Sequence, residues 1–304
     1  MNISDILLGA AIIIAAPAVN RVGEAKAQQI HPDQVVVDSP FVHDPVLAYE
    51  NGKYYLYSTG HGISQMTSAD RKHWTLCREG VLKNHEIPAW THDSVPGFHT
   101  HIWAPDVIRY RNKWYLAYSC STFGKNTSAI GLLSNTSLAN MNGWKDEGCI
   151  LASEGKRDNW NAIDPNFVID DKGNPWMTWG SFWDGIQLVK LDKKTMHVKK
   201  GAKPQTIARR HAFGDASAEP NPTSKFAGTN AIEAPFIMKH GGYYYLFVSW
   251  DYCCRGIKSN YRVAVGRSKN VAGPYLDKNG KDMRNGGAVS YTHLRAHETL
   301  ANLV

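Results

Sequence analysis

Long apolar runs are missing from this chain. No uninterrupted hydrophobic stretch reaches the ~18–20 residues that cross a bilayer. Runs of like charge are missing too. The formal net charge is +7, but Lys and Arg are scattered and no five like charges stand together. A nucleic-acid surface is therefore not expected. Cysteine is sparse, with five in 304 residues. The number is odd and no Cys-x-x-Cys pair occurs, which excludes a disulfide-stapled mini-domain and argues against a zinc site. Helical periodicity of useful length is also absent. Hydrophobic residues make up 43 % and charged residues 20 %, a balance that supports a packed core and excludes a disordered chain.

What is present is turn-forming and aromatic. The 26 Gly, 14 Tyr and 10 Trp favour β architecture. At the N-terminus, Ile6 to Val19 is apolar and uncharged and is followed by Ala25-Lys26-Ala27, a small-x-small pattern. That reads as a signal peptide over residues 1–27, cut before Gln28. The leader lacks Lys or Arg and carries Asp5, and a buried first helix is the alternative. Export implies a secreted or periplasmic protein in an oxidising compartment. Cys253 and Cys254 are adjacent, and either a vicinal disulfide or two ordinary thiols fits.

The body of the chain repeats. Asp44-Pro45 to Ser58, Ala104-Pro105 to Ser119, Asp164-Pro165 to Ser181 and Glu233-Ala234-Pro235 to Ser249 each read as an alternating strand, a tight turn and a second aromatic strand. A third strand follows each, and a less regular fourth ends near Trp74, Trp144, His197 and Tyr275. Strands repeating at about 60–70 residues are the pattern of β-propeller blades. Aligned on Leu47, Val107, Phe167 and Phe236, the position three residues earlier holds Asp44, Ala104, Asp164 and Glu233. Equivalent positions of successive blades converge on the central channel. Three carboxylates facing one axis repel each other and raise at least one pKa, the arrangement that general acid/base chemistry uses. The competing reading is that these acids accept backbone hydrogen bonds at strand starts.

These residues carry a resemblance. The ordered set Val42-His43-Asp44-Pro45, His101-Ile102-Trp103-Ala104-Pro105-Asp106, Ser121-Thr122-Phe123-Gly124, Asn161-Ala162-Ile163-Asp164-Pro165, Gly180-Ser181-Phe182-Trp183 and Ile232-Glu233-Ala234-Pro235 resembles glycoside hydrolase family 43, specifically its endo-α-1,5-L-arabinanases. Asp251-Tyr252-Cys253-Cys254-Arg255-Gly256 also looks like that branch. The resemblance implies an all-β, five-bladed propeller and an inverting glycosidase. It gives Asp44 as general base, Glu233 as general acid and Asp164 as the third acid, which tunes the acid's pKa and orients substrate. Asp44, Gly124, Asn161, Ala162, Ile163, Asp164, Ser181, Phe182 and Trp183 match its substrate-binding positions. Trp103, Phe123 and Trp183 could pack against furanose faces or belong to the propeller core.

The implied substrate is arabinan or pectin side chains, handled by a monomer with no nucleic-acid or membrane partner. No cofactor is required for the chemistry, and no residue here is assigned as a metal ligand. The family as a whole implies a structural metal, calcium, whose His ligand has no counterpart in this chain. Two domains' worth of boundaries follow: a propeller over 28–287 with its fifth blade incomplete or missing, and a non-native tail over 288–304 without strand alternation, or alternatively a C-terminal helix. His293 and His297 fall in that tail and are not read as a metal pair. The competing functions are an exo-acting α-L-arabinofuranosidase or β-xylosidase on the same propeller, and a non-catalytic sugar-binding propeller.

Overall fold

The computed structural model describes residues 34–211 and 230–290. The expected signal peptide, and the tail from residue 291 onward, lie outside the described residues. Four antiparallel sheets follow one another along the chain as the blades of a β-propeller. The first contains β1 (Gln34–Val37), β2 (Val46–Glu50), β3 (Lys53–Ser58), β5 (Ser64–Ser68) and β6 (Trp74–Cys77), in the order β1-β6-β5-β3-β2. The second contains β7 (His101–Tyr110), β8 (Lys113–Cys120), β9 (Ser128–Asn135) and β10 (Lys145–Ser153). A two-residue strand sent across from the first blade, β4 (Gly60–His61), joins it by pairing with Ile102 and His101. The third is β11 (Asn166–Ile169), β12 (Pro175–Trp179), β13 (Ile186–Lys190) and β14 (Gln205–Ala208). The fourth is β15 (Ile232–His240), β16 (Tyr243–Trp250), β17 (Arg262–Ser268) and β18 (Val289–Ser290).

The hairpins form where the turn chemistry demands it. Asn51 and Gly52 have φ of 50° and 84°, and Gly241 and Gly242 have 55° and 77°. Two consecutive positive φ values make the turn whose twist matches the flanking strands. The blades then stack because their middle strands are apolar on both faces. Along β8, Trp114, Leu116, Tyr118 and Cys120 pack with first-blade residues such as Tyr57, while Tyr115 and Ala117 pack with third-blade residues such as Phe167, Met177 and Trp179. Alternation by two sends successive side chains to opposite neighbours. Burying a Leu such as the fully enclosed Leu116 contributes about 1.5–3 kcal/mol.

The outer strands of the third and fourth blades lie later than the sequence reading placed them. His197 and Tyr275 sit beside isolated bridges, Leu191 to Val198 and Arg267 to Leu276. The true outer strands are β14 and β18. The reason is local. The Asp192 carboxylate accepts the N–H of Lys194 and Thr195 at 2.8 and 3.1 Å, and Asp277 accepts those of Asn279 and Lys281 at 2.8 and 2.9 Å. Such Asx turns fold the chain back on itself before it reaches the blade edge. The expected boundary after Gly287 falls just ahead of β18, whose Val289 and Ser290 pair with Val265 and Ala264.

Candidate active site

Each blade enters through an X-Pro step. Asp44, Ala104, Asp164 and Ala234 precede Pro45, Pro105, Pro165 and Pro235, and all four adopt left-handed φ, at 50°, 40°, 57° and 52°. Non-glycine residues seldom occupy this region, and proline cannot donate to a ladder, so the strand is interrupted here. In β7 and β15 the interruption is a register shift, between Trp103 and Asp106 and between Glu233 and Phe236. Two of the three acids, Asp44 and Asp164, occupy these left-handed steps, and Glu233 directly precedes a third.

This geometry corrects the repeat alignment. Trp103 pairs with Ser119 and Glu233 pairs with Ser249, while the amides of Thr59 and Gly180 donate to the carbonyls of His43 and Ile163. Glu233 is therefore equivalent to His43, Trp103 and Ile163, one residue before the Asp44 position. Ala234 is the true counterpart of Asp44, Ala104 and Asp164. The alignment slipped because Phe236 was matched to Leu47, whereas the equivalent residue is Ile237, paired with Leu246 as Leu47 is with Leu56.

The three acids nevertheless interact. Glu233 accepts hydrogen bonds on both oxygens: the Ser181 hydroxyl donates to Oε2 at 2.8 Å and the Tyr261 phenol to Oε1 at 2.8 Å. Asp164 accepts the Ala234 N–H on Oδ2 at 3.1 Å, and its own N–H donates to the Ser119 hydroxyl at 3.0 Å. Asp44 accepts the Thr59 hydroxyl at 2.7 Å, and His43 Nε2 stands 3.5 Å from the same oxygen. Burial and then the neighbouring charges of Glu233 and Asp44 push the Asp164 carboxyl well above the usual range. Glu233 is also raised, first by burial and further by Asp44, against the lowering effect of its Ser181 and Tyr261 hydrogen bonds. Both side chains are half-buried, and Asp44 is exposed.

The comparisons with known proteins agree on one family. Residues 34–300 match Glycosyl hydrolases family 43. The chain belongs to that family. It is 44 % identical over 249 residues to the extracellular exo-α-(1→5)-L-arabinofuranosidase ArbA of Cellvibrio japonicus, covering 81 % of this chain and 69 % of that one. It is 43 % identical over 250 residues to the extracellular endo-α-(1→5)-L-arabinanase 1 of Bacillus subtilis, covering 81 % of this chain and 71 % of that one. Among solved structures, an exo-1,5-α-L-arabinanase from a bovine ruminal metagenomic library aligns with a TM-score of 0.74 and 54 % identity, over 83 % of this chain and 79 % of that one.

The other expected substrate-binding residues differ in exposure. Ser181 touches Glu233 directly. Phe182 is half-buried and packs its ring against Tyr252, centroids 5.9 Å apart. Gly124 lies beside Phe123, which is 83 % exposed on the loop between β8 and β9. Ile163 is 8 % exposed and Asn161 3 %, and the Asn161 side-chain oxygen is buried with no hydrogen-bond partner among the described residues. Ala162 has no exposed surface; its N–H donates to the Ser153 hydroxyl at 2.9 Å, so it supports the loop from below and cannot touch a sugar. Trp183 is only 6 % exposed, which makes it core and not a furanose platform. Gly180 is required where it stands: its φ is 129°, and a Cβ there would collide with the carbonyl of Gly185.

Sequence reasoning missed Thr59 and Tyr261. Thr59 holds Asp44 while accepting the Ala104 N–H at 2.8 Å, so it orients the acid and ties the first blade to the second. Its signal was present, since the equivalent positions at the ends of the second strands are Thr59, Ser119, Gly180 and Ser249, three of them hydroxyl residues. Tyr261 carried no signal: it opens the third-strand stretch of the fourth repeat, where the other repeats have Ser64, Ala129 and Gly185, so no repeated phenol marks the position. As to a metal, no three or more His, Cys, Asp or Glu side chains are arranged to hold an ion among the described residues. A separate depression of about 470 Å³, lined by His61, Cys77, Arg78 and His85 among others, contains none of the three acids.

Proposed function

We propose that this chain hydrolyses the α-1,5-L-arabinofuranosidic bonds of arabinan with inversion of configuration. The observation that carries the reading is the asymmetry of the three acids. Asp44 is open to solvent and held by the Thr59 hydroxyl, whereas Glu233 and Asp164 are half-buried and pushed toward the protonated form. Inversion needs a base that activates water and an acid that protonates the leaving oxygen, ~6.5–9.5 Å apart. In this scheme Asp44 takes a proton from water as the water oxygen attacks the anomeric carbon. Glu233 gives its proton to the glycosidic oxygen as the bond to that carbon breaks. Asp164, sharing the crevice, disfavours ionisation of Glu233 and helps to orient the sugar.

Cleavage within the chain is the first reading, as in the endo-acting Bacillus subtilis relative. Release from a chain end is the second, favoured by two relatives named as exo-acting. We place the enzyme outside the cytoplasm, on the leader-like run Ile6–Val19 and on the extracellular relatives, and read it as a monomer. We also read the ring as five-bladed. This reading is supported by the hydrogen bonds described above, which join first to second, second to third and third to fourth blade, and none of which joins fourth to first among the described residues. The test is product analysis on linear arabinan. A ladder of oligosaccharides early in the reaction supports internal cleavage, and one short product from the outset supports the exo reading. No hydrolysis at all would refute both and favour a binding propeller.

A further inference from the structure

Side chains of neighbouring residues point to opposite faces of an extended chain. Two adjacent cysteines meet only where the backbone turns, and here it does. Cys254 is left-handed, with φ 60°, and the Sγ atoms of Cys253 and Cys254 are 2.7 Å apart. The turn is pinned on both sides. Asp251 is paired with Arg210 at 2.9 Å and with Arg262 at 2.8 Å. The Tyr252 N–H donates to Asn260 Oδ1 and the Asn260 N–H to the Tyr252 carbonyl, each at 3.1 Å. The Arg255 N–H donates to the Ser259 hydroxyl at 3.0 Å. Closing a disulfide from this separation takes a movement of about 0.7 Å. Cys254 is exposed and Cys253 half-buried, whereas Cys120 is fully enclosed.

The pair also borders the acids. The Cys253 thiol is pushed up first by its hydrogen bond with Cys254 and by burial, and further by the charges of Glu233 and Asp164, and a Cys254 thiolate would in turn raise Glu233. Tyr252 lies immediately before the pair, its ring against Phe182 and under the Arg255 guanidinium, which is 3.8 Å from the ring centroid. The turn thus carries a stacked platform, Arg255 on Tyr252 beside Phe182, and Phe182 follows Ser181, whose hydroxyl donates to Glu233.

We propose that Cys253 and Cys254 are a redox-modified site, closed by a low-molecular-weight disulfide such as oxidised glutathione, and that closure fixes the Tyr252 platform for sugar binding. The second half rests on the function proposed above. Cys254 loses its proton to water, and its thiolate attacks the small disulfide and expels one thiolate. Cys253 then loses its proton to water, attacks the Cys254 sulfur and expels the second, and the two expelled thiolates take up the two protons from water. Two protein thiols lose two electrons, and the small disulfide is reduced to two thiols. A platform held by a covalent ring loses less freedom when a sugar lands on it, so closure lowers KM and leaves kcat unchanged.

The test treats the full chain with oxidised glutathione, blocks remaining thiols with iodoacetamide and digests it with trypsin without reduction. The peptide from His240 to Arg255 contains both cysteines and no other. It should appear unalkylated and lighter by two hydrogens. KM on arabinan should be lower than in dithiothreitol-treated enzyme by a factor on the order of three, and Cys254→Ser should show one KM in both conditions. A doubly alkylated or glutathione-bearing peptide overturns the site. A closed pair with unchanged KM overturns the platform role. A closed pair in a protein that hydrolyses no arabinan sinks the functional reading and the platform role while the redox site stands.

Discussion

The backbone N–H of Ala234 donates to Oδ2 of Asp164 at 3.1 Å, a contact that the other blades make with a hydroxyl. Ala104 donates to Thr59 and Asp164 to Ser119, at 2.8 and 3.0 Å, but the third blade has Gly180 at that position. The Asp164 carboxylate reaches forward to take the amide instead. One side chain therefore joins two blades and brings a second acid beside Glu233, whose charge pushes Asp164 further toward the protonated form.

The two roles separate by substitution. Asp164→Asn keeps an acceptor for Ala234 and removes one of the two acids that share the crevice. The pair's upper titration step is then lost, and the alkaline limb of kcat/KM moves to lower pH with little change in stability. Asp164→Ala also leaves the Ala234 N–H without its partner and should lose about 1–3 kcal/mol in urea unfolding. Equal stability of the two variants would remove the structural role.

Tyr261 acts in the opposite sense. Its hydrogen bond favours the ionised form of Glu233. Tyr261→Phe should move the alkaline limb to higher pH and lower kcat by a factor on the order of ten, with KM little changed. A pH profile shifted in the same direction as that of Asp164→Asn would contradict this role.

How much of this was legible beforehand follows from where each feature resides. The blades were readable because strand alternation, X-Pro steps and turn residues are local signals. The three acids were readable because they stand beside those steps. The register of Glu233 was not, since the strand interruption at Ala234-Pro235 shifts the acid by one residue without altering the apolar pattern. The outer strands were misplaced because Asx turns at Asp192 and Asp277 make short hairpins that resemble blade edges. The meeting of the Tyr261 phenol with Glu233 and the 2.7 Å approach of Cys253 to Cys254 depend on tertiary placement, which no periodicity encodes.

Asp106 gives a stability prediction. It is 6 % exposed, and it accepts the Phe167 N–H at 2.7 Å and the Asn166 amide at 3.2 Å across the second and third blades. Burial pushes its carboxyl up to about 7. Its native value lies above the unfolded one of about 3.9, so the folded state retains a proton that the unfolded state has lost. This contribution is full below about pH 4 and is lost as pH rises through about 7. Asp106→Asn should flatten the decline of Tm across that window and be at least as stable as wild type at pH 7. A variant destabilised equally at every pH would contradict it.

The division of labour between Asp44 and Glu233 is tested most directly by the configuration of the first-formed sugar. Proton NMR of the nascent reducing end during hydrolysis of an α-1,5-linked arabino-oligosaccharide reads it before mutarotation. A single attack by water activated at Asp44, with Glu233 as acid, gives the β-anomer first, and Asp44→Asn and Glu233→Gln each slow its appearance by a factor on the order of 10²–10⁴. An α-anomer formed first would show a double displacement and contradict the assignment.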